Sequence, residues 1–507
     1  MTRILGEPQL RNMRWQTVRS QVGALQTESL IACPENEAEC RDILRFCRNN
    51  RLSVCLRGGG YSYGDAILND RNLILDTSRI NRILAFDDIE GLITVQPGVR
   101  LIDIYQTTLH LRYVLAATPS ESTITVAGAI AANVNGKDGW RMGNFGDQVV
   151  ALRLMLASGE IVSASHDENP ELFRAVIGGM GLLAIIVEAT LRLQRIPSPF
   201  LEIRRTPVGN LAQLLALLQR VKVESDFAVV WLDTCATGAK LGRSVVHATR
   251  WVGSDLGIDE LRAQISVSLT RLDARLQQAR RLGPLTGFVV GTMMHIQRVS
   301  IRVFNKLYYS YCLLRQFLHT SDNVESVLRY IFDASFVIPS AAAVCGPHGY
   351  TVQLTISESV AREAIGELIR LCQESPCLPA KLIMRLHRRD AFLLSFSEDG
   401  YSMNLELHPK SRHEQRMDRF LDDLIASVVR NGGRVHLAKD HVLSRRQFQA
   451  LFPENRQFLE LKRRFDPGEL FQSDMYRRLI RDEAAAPGDE PGVVERPLTA
   501  APTASAP

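Results

Sequence analysis

RGGGYSYGD, Arg57 to Asp65, follows directly on a short apolar run, LSVCL at 52–56. Glycines at the end of a strand let backbone N–H groups approach a phosphate without side-chain bulk between them. The spacing is not G-x-G-x-x-G, however, and YSYGDAI is a poor opening for a helix, which disfavours a doubly wound nicotinamide dehydrogenase. Upstream, PENEAECRDILRFCRNN places acidic residues early and basic ones late, as the helix dipole prefers. Downstream, LILDTSRI, ILAFDD and LITVQPG predict short strands separated by polar turns, and LIDIYQTTLHL predicts a helix. Taken alone, Gly58–Gly60 fits a tight turn equally well.

A second stretch changes that balance. ATPSESTITVAGAIAANVNGKDGWRMGNFGDQ is dominated by small residues from Ala127 to Ala132. VVALRLMLA and EIVSAS then predict two strands around a turn at Ser158-Gly159. A short helix, a break at Gly178–Gly181 and a strongly β-branched strand through Ile185 follow, and IPSPF at 196–200 closes a first domain. Beyond it, helix-like NLAQLLALLQRV and IDELRAQISVSLTRLDARLQQARRL mix with strand-like FAVVWLD, GYTVQLTISE, AKLIMRLHR and YSMNLELHP. That texture predicts a sheet with helices packed against it. The expected division is 1–197, 198–429, a returning segment 430–480, and a tail 481–507 whose Ala, Pro, Gly, Asp and Glu content predicts disorder.

Composition narrows the function classes. With 507 residues and 46% hydrophobic content the chain can bury a large core. A net charge of +5 without an aromatic-interleaved basic stripe excludes nucleic acid as an expected partner. Nine scattered cysteines, Cys372 and Cys377 included, match neither a disulfide scaffold nor a zinc site, and predict free thiols in a reducing, cytoplasmic compartment. No metal is expected, because HExxH and carboxylate clusters are missing; His110, His166 and His295 have no convergent ligands. A GxSxG elbow is also missing. No secretory leader or membrane span is expected, which leaves peripheral attachment to a membrane open.

Arg57-Gly58-Gly59-Gly60-Tyr61-Ser62-Tyr63-Gly64-Asp65 resembles the first FAD-binding loop of the vanillyl-alcohol-oxidase superfamily, also called the PCMH-type FAD-binding fold. PSESTITVAGAIAANVNGK, Pro119 to Lys137, resembles its second loop. The likeness continues through GNFGDQVVALRLMLASGEIV, ENPELFRAVIGGMGLLAIIVEATLRL, GGRVHLAKD and KRRFDPGELFQSDMYRRL. It implies an α+β protein, a two-lobed PCMH-type FAD-binding domain with an α+β cap domain over the flavin ring. FAD contacts are implied for Arg57 to Tyr63, for Pro119, Ser120, Thr125, Val126, Gly128, Ala132 and Asn133, and for Ile185. Tyr61 stands where members with tethered flavin place a histidine, so the resemblance implies noncovalent FAD.

Lys137 and Lys439 match lysines that lie beside substrate and flavin in the family, where a cation stabilises charge developing on the ring. A lone lysine after a strand is otherwise a solvated charge. Asn135 joins them as a site candidate, although members that oxidise polyprenyl-phospho-pentoses carry histidine there. Arg385, in place of a lysine, and Asn404, in place of a cysteine, are implied to line the substrate pocket. Tyr350 and Tyr401 fit sheet packing at least as well as a pocket role.

The implied reaction is hydride transfer from the CH–OH group of a sugar-like substrate to FAD, with the electron acceptor unknown. A basic strip, Arg271, Arg275, Arg280, Arg281, Arg298, Arg302, Lys306 and Arg315 against Asp273, suits a polyprenyl-phospho-pentose and the inner face of the cell membrane. The same strip suits a solvated helix face. A soluble polyol, sugar acid or aldonolactone is the alternative substrate, and a non-redox flavin-binding protein is the second alternative.

Overall fold

The computed structural model describes residues 13–21, 25–272, 274, 297–318, 322–332, 349–408 and 414–481. Arg275, Arg280, Arg281, Asp273, His295 and the expected tail from 482 onward lie outside them.

The first lobe is a four-stranded sheet, in spatial order Arg14–Arg19, Gln26–Ala32, Leu73–Asp76 and Val54–Arg57. Helix Glu37–Asn49 begins where the Asn36 side chain accepts from Glu39 N at 3.0 Å. Its buried residues Cys40, Ile43, Leu44 and Cys47 recur at helical spacing and pack with Leu30, Val54, Leu73 and Leu75. The second lobe is a five-stranded antiparallel sheet, Ile83–Asp87, Leu92–Val95, Ile185–Arg192, Val149–Met155 and Ile161–Ser165. Strand Ile185–Arg192 is central, and its β-branched Ile185, Ile186 and Val187 are buried. The small-residue run is not a loop throughout: Val126–Ala131 is helical, with Thr125 capping it by accepting from Gly128 N.

The cap is an eight-stranded sheet whose neighbours all pair antiparallel. Its order is Asp322–Ser326, Phe200–Val208, Ser244–Trp251, Phe227–Leu232, Lys381–His387, Gly400–Leu407, Tyr350–Ser357 and Arg434–Val435. Successive side chains on a strand point to opposite faces. Leu382, Met384 and Leu386, with Met403, Leu405 and Leu407, therefore enter the core, toward helices Ala361–Glu374 and Glu414–Arg430. Lys381, Ile383 and Arg385, with Ser402, Asn404 and Glu406, form the opposite face.

After Arg434–Val435 the chain leaves the cap sheet and returns to the first lobe. Val54 N donates to Leu470 O at 2.7 Å and Gln472 N to Val54 O at 3.0 Å. Just before that junction, in helix Asn455–Phe465, Lys462 pairs with Asp466 and donates to Leu182 O at 2.7 Å and Phe471 O at 2.6 Å. This knot fastens the return. Among the described residues the eight cysteines are free, no metal-holding cluster occurs, and no helix is long and apolar enough to cross a membrane.

Candidate active site

A cavity of about 350 Å³ opens between the two glycine-bearing segments and the polar face of the cap sheet. That volume is within the range of small-molecule sites. One wall is backbone-rich. A Cβ on Gly58 would lie 2.2 Å from Thr125 Oγ1, and one on Gly59 would lie 3.0 Å from Thr123 O, so the segments meet at a distance only glycine allows. Gly64 permits a second close approach, since its Cβ would stand 1.7 Å from Asp440 O. Tyr63 N and Ser62 Oγ both donate to Ala438 O, at 2.9 and 3.1 Å. Arg478 clamps the same junction, donating to both carboxylate oxygens of Asp65 at 2.8 and 2.7 Å and to Asp440 at 2.9 Å. The C-terminal return is thereby locked to the first loop, with Lys439 at the cavity.

The opposite wall carries charge. Lys439 Nζ donates to Asn404 Oδ1 at 2.9 Å and lies 5.8 Å from the centroid of the Tyr63 ring. Lys439 keeps part of its surface open to the cavity, yet the surrounding protein withdraws enough water to pull its amine down to about 7. The Arg385 guanidinium pushes in the same direction and Glu406 opposes it. Arg385 donates to the carbonyls of Asn135 at 3.1 Å and Gly136 at 3.3 Å. Lys381 lies 3.9 Å from Glu406. Near pH 7, then, Lys439 exists in both protonation states and can accept or return a proton at Nζ.

Most of the sequence-derived candidates converge here. Arg57 to Tyr63, Pro119, Ser120, Gly128, Ala132, Ile185, Asn135, Arg385, Asn404 and Lys439 all line the cavity. Thr125 and Val126 stand behind the wall, as helix cap and buried core residue. Asn133 is turned inward: its amide donates to Asp390 at 2.9 Å and Ser395 at 3.1 Å, while its carbonyl accepts from Gly146 N at 2.9 Å. Lys137 is not part of the lining. Its ammonium donates to Tyr330 O and, at 3.4 Å, to Ile331 O, and sits 4.3 Å above the Tyr330 ring. The Tyr330 and Ile331 carbonyls, near the end of helix Val327–Phe332, hold it out of the cavity lining.

The described residues of the basic strip do not line the cavity either. None of Arg271, Arg298, Arg302, Lys306 and Arg315 lines it, and Arg298 is spent on the Gln373 and Ser375 carbonyls. Tyr401 packs with its hydroxyl toward Glu358, and Tyr350 stacks on His441. Sequence reasoning missed Gln353, Lys381, Ser402, Glu406 and His436, all in the lining. For Lys381, Ser402 and Glu406 a signal existed in the alternation of Ser402, Asn404 and Glu406 in YSMNLEL and, broken by Ile383, of Lys381, Arg385 and His387 in AKLIMRLH.

The lining fits FAD and a hydroxylated substrate. Arg57 Nε and Gln353 Oε1 are buried at the cavity without a protein partner, a donor and an acceptor that a polar ligand would satisfy. Tyr61 offers no imidazole for a tether and its hydroxyl is bonded to Thr123, in keeping with noncovalent FAD. Residues 29–165 match the family described as an FAD binding domain, and residues 354–479 match the family described as D-arabinono-1,4-lactone oxidase. Fold, site and matches together define an FAD-dependent oxidoreductase that acts on CH–OH groups of sugar-like substrates.

Both matched segments, and the relatives that span most of the chain, are in keeping with the PCMH-type FAD-binding superfamily. The chain is 25% identical to the decaprenylphosphoryl-β-D-ribose oxidase of Mycolicibacterium smegmatis, over 89% of this chain and 94% of that one. It is 24% identical to the L-gulonolactone oxidase of Mus musculus, over 88% and 94%. A putative D-arabinono-1,4-lactone oxidase of Neurospora crassa is 33% identical over 31% of this chain and 28% of its own length.

Proposed function

We propose that the chain oxidises a CH–OH group of a soluble, sugar-derived substrate of the aldonolactone type, with Lys439 taking the hydroxyl proton. The observation that carries this is the polar sheet face beside Lys439, where Gln353, Lys381, Arg385, Ser402, Asn404 and Glu406 offer donors and acceptors at strand spacing. Several hydroxyls of one small molecule would match such a face. Arg271, Arg298, Arg302, Lys306 and Arg315 lie off the cavity, which weakens the reason to require a phosphate. Names of relatives that act on gulonolactone and arabinonolactone support the same substrate class.

FAD, when bound, accepts the hydride from the substrate carbon. The chain's residues do the rest. Gly58–Gly60 and the Ala-rich segment bring backbone close to the cofactor, and Arg385 and Lys381 supply positive charge on the substrate side. Lys439 as the free amine receives the proton from the hydroxyl, and Asn404 Oδ1 stabilises the resulting ammonium through the 2.9 Å hydrogen bond.

A lipid-linked pentose is the second reading. Helix Gln297–Phe317 exposes Val303, Leu307, Leu314 and Phe317 along one side, carries Arg302 and Lys306, and contains no Asp or Glu. An apolar stripe with basic neighbours favours peripheral contact with an anionic membrane surface. Anaerobic mixing of FAD-loaded protein with aldonolactones, polyols and a detergent-solubilised polyprenyl-phospho-pentose separates the readings. Bleaching of the visible flavin band by a lactone supports the first; bleaching only by the lipid-linked sugar supports the second. A band that survives every alcohol overturns both.

A further inference from the structure

Gln353, Ser402, Asn135 and His387 form a buried polar chain running from the cavity wall into the cap, each of them more than nine-tenths buried. The donor directions along it can be worked out from its inner end. Ser397 Oγ donates to Arg388 O at 2.8 Å, which uses the only hydroxyl proton it has. His387 Nδ1, 3.3 Å from that same oxygen, must therefore carry the proton and donate. With Nδ1 protonated and the ring neutral, Nε2 is bare and accepts from Ser402 Oγ at 2.8 Å. Burial keeps the ring neutral, drawing His387 down to about 3.

Ser402 has now spent its proton, so its oxygen accepts from Gln353 Nε2 at 3.5 Å. The other amide hydrogen of Gln353 goes to Asn135 Oδ1 at 3.1 Å. Turning the Gln353 amide over would press its oxygen against two acceptors, which costs about 1–3 kcal/mol in a buried setting. The wired orientation leaves Gln353 Oε1 without a protein partner in the cavity lining.

We infer that His387 is a positioning residue which, acting through Ser402, holds the Gln353 amide so that Oε1 accepts a hydrogen bond from one hydroxyl of the substrate. The inference rests on the proposed sugar-derived substrate for the identity of the donor, but not for the direction of the chain. From behind the cavity wall, and through one serine, a histidine sets which hydroxyl pattern the site accepts. A substrate lacking that hydroxyl leaves a buried acceptor empty, which disfavours it about tenfold to hundredfold.

Two measurements test this on the FAD-loaded enzyme. The first compares kcat/KM for aldono-1,4-lactones with that for their monodeoxy counterparts. Wild-type protein is expected to reject one monodeoxy lactone about tenfold to hundredfold. Gln353→Met and His387→Leu should each bring that ratio near one, and His387→Gln, whose amide oxygen can accept from Ser402, should restore it. Because the readout is a ratio within one protein, loss of folded material does not alter it. Full discrimination in Gln353→Met or in His387→Leu overturns the inference. The second is nitrogen NMR of histidine-labelled holoenzyme, which needs no substrate. It should show His387 protonated at Nδ1 and bare at Nε2; the opposite tautomer overturns the chain of donors. If no lactone reduces the flavin while the tautomer is as expected, the substrate reading fails and the wiring stands.

Discussion

Two lysines withdrawn from bulk water, Lys462 and Lys439, are treated in opposite ways. Lys462 is 1% exposed and fully satisfied: a carboxylate partner in Asp466, and carbonyls from Leu182 and Phe471. Asp466 is completed in turn by the N–H groups of Leu470 and Phe471, each at 2.8 Å. Lys439 has one neutral acceptor, Asn404, and feels the cations Arg385 and Lys381, with Glu406 opposing them. Equal chemistry, placed in a closed knot, fixes the chain; placed against a cavity and short of partners, it becomes a group ready to exchange a proton. Perturbed ionisation with unfilled hydrogen bonding marks function, and complete pairing marks structure.

Substitution should separate the two most sharply. Lys439→Met is expected to lower the rate of flavin reduction about 10²–10⁴-fold, with the melting temperature unchanged or raised, because a desolvated amine is removed. Rapid-mixing kinetics beside a thermal melt check both parts. Lys462→Met should do the reverse, costing about 3–5 kcal/mol of stability by stranding Asp466, while the folded fraction keeps its rate. Adding Asp466→Leu to it should recover much of that loss, and denaturant titration of the three proteins measures it.

Smaller changes sharpen the contrast. Gly64→Ala drives a methyl group into Asp440 O and should displace the Lys439 segment, at about 1–3 kcal/mol and with a loss of rate smaller than in Lys439→Met. A rate equal to wild type would mean that the junction is not what places Lys439. Asn404→Leu removes the acceptor that favours the ammonium, so the amine should ionise still lower and the pH–rate profile should move about 1–2 units toward acid. A shift toward alkali would contradict that assignment.

Much of the first domain is legible in the sequence because its signals are local. Glu37–Asn49 announces itself by Asn36, Glu37 and Glu39 at one end and Arg48 at the other, and glycines at 58–60 end a strand as they would in a peptide. The second wall is not local. Gln353, Ile383 and Asn404 become neighbours only through strand register, and polar alternation in each segment does not reveal which strands pair. Lys137 shows the opposite failure. Its motif is intact, yet the carbonyls of Tyr330 and Ile331, distant in sequence, hold its ammonium out of the cavity lining. Asn133 reads as a cofactor contact and is instead consumed by Asp390, Ser395 and Gly146, partners that no sequence spacing connects.

The central claim, that Lys439 is the proton acceptor beside the flavin, is tested most directly by the pH dependence of anaerobic flavin reduction at saturating substrate. Only the free amine can take the hydroxyl proton, so the rate should rise with pH through a midpoint near the value of about 7 to which burial and Arg385 draw Lys439. Lys439→Arg, locked as a cation, should be slow at every pH. A wild-type rate that stays flat between about pH 5 and 9, or that falls as pH rises through 7, would contradict the account.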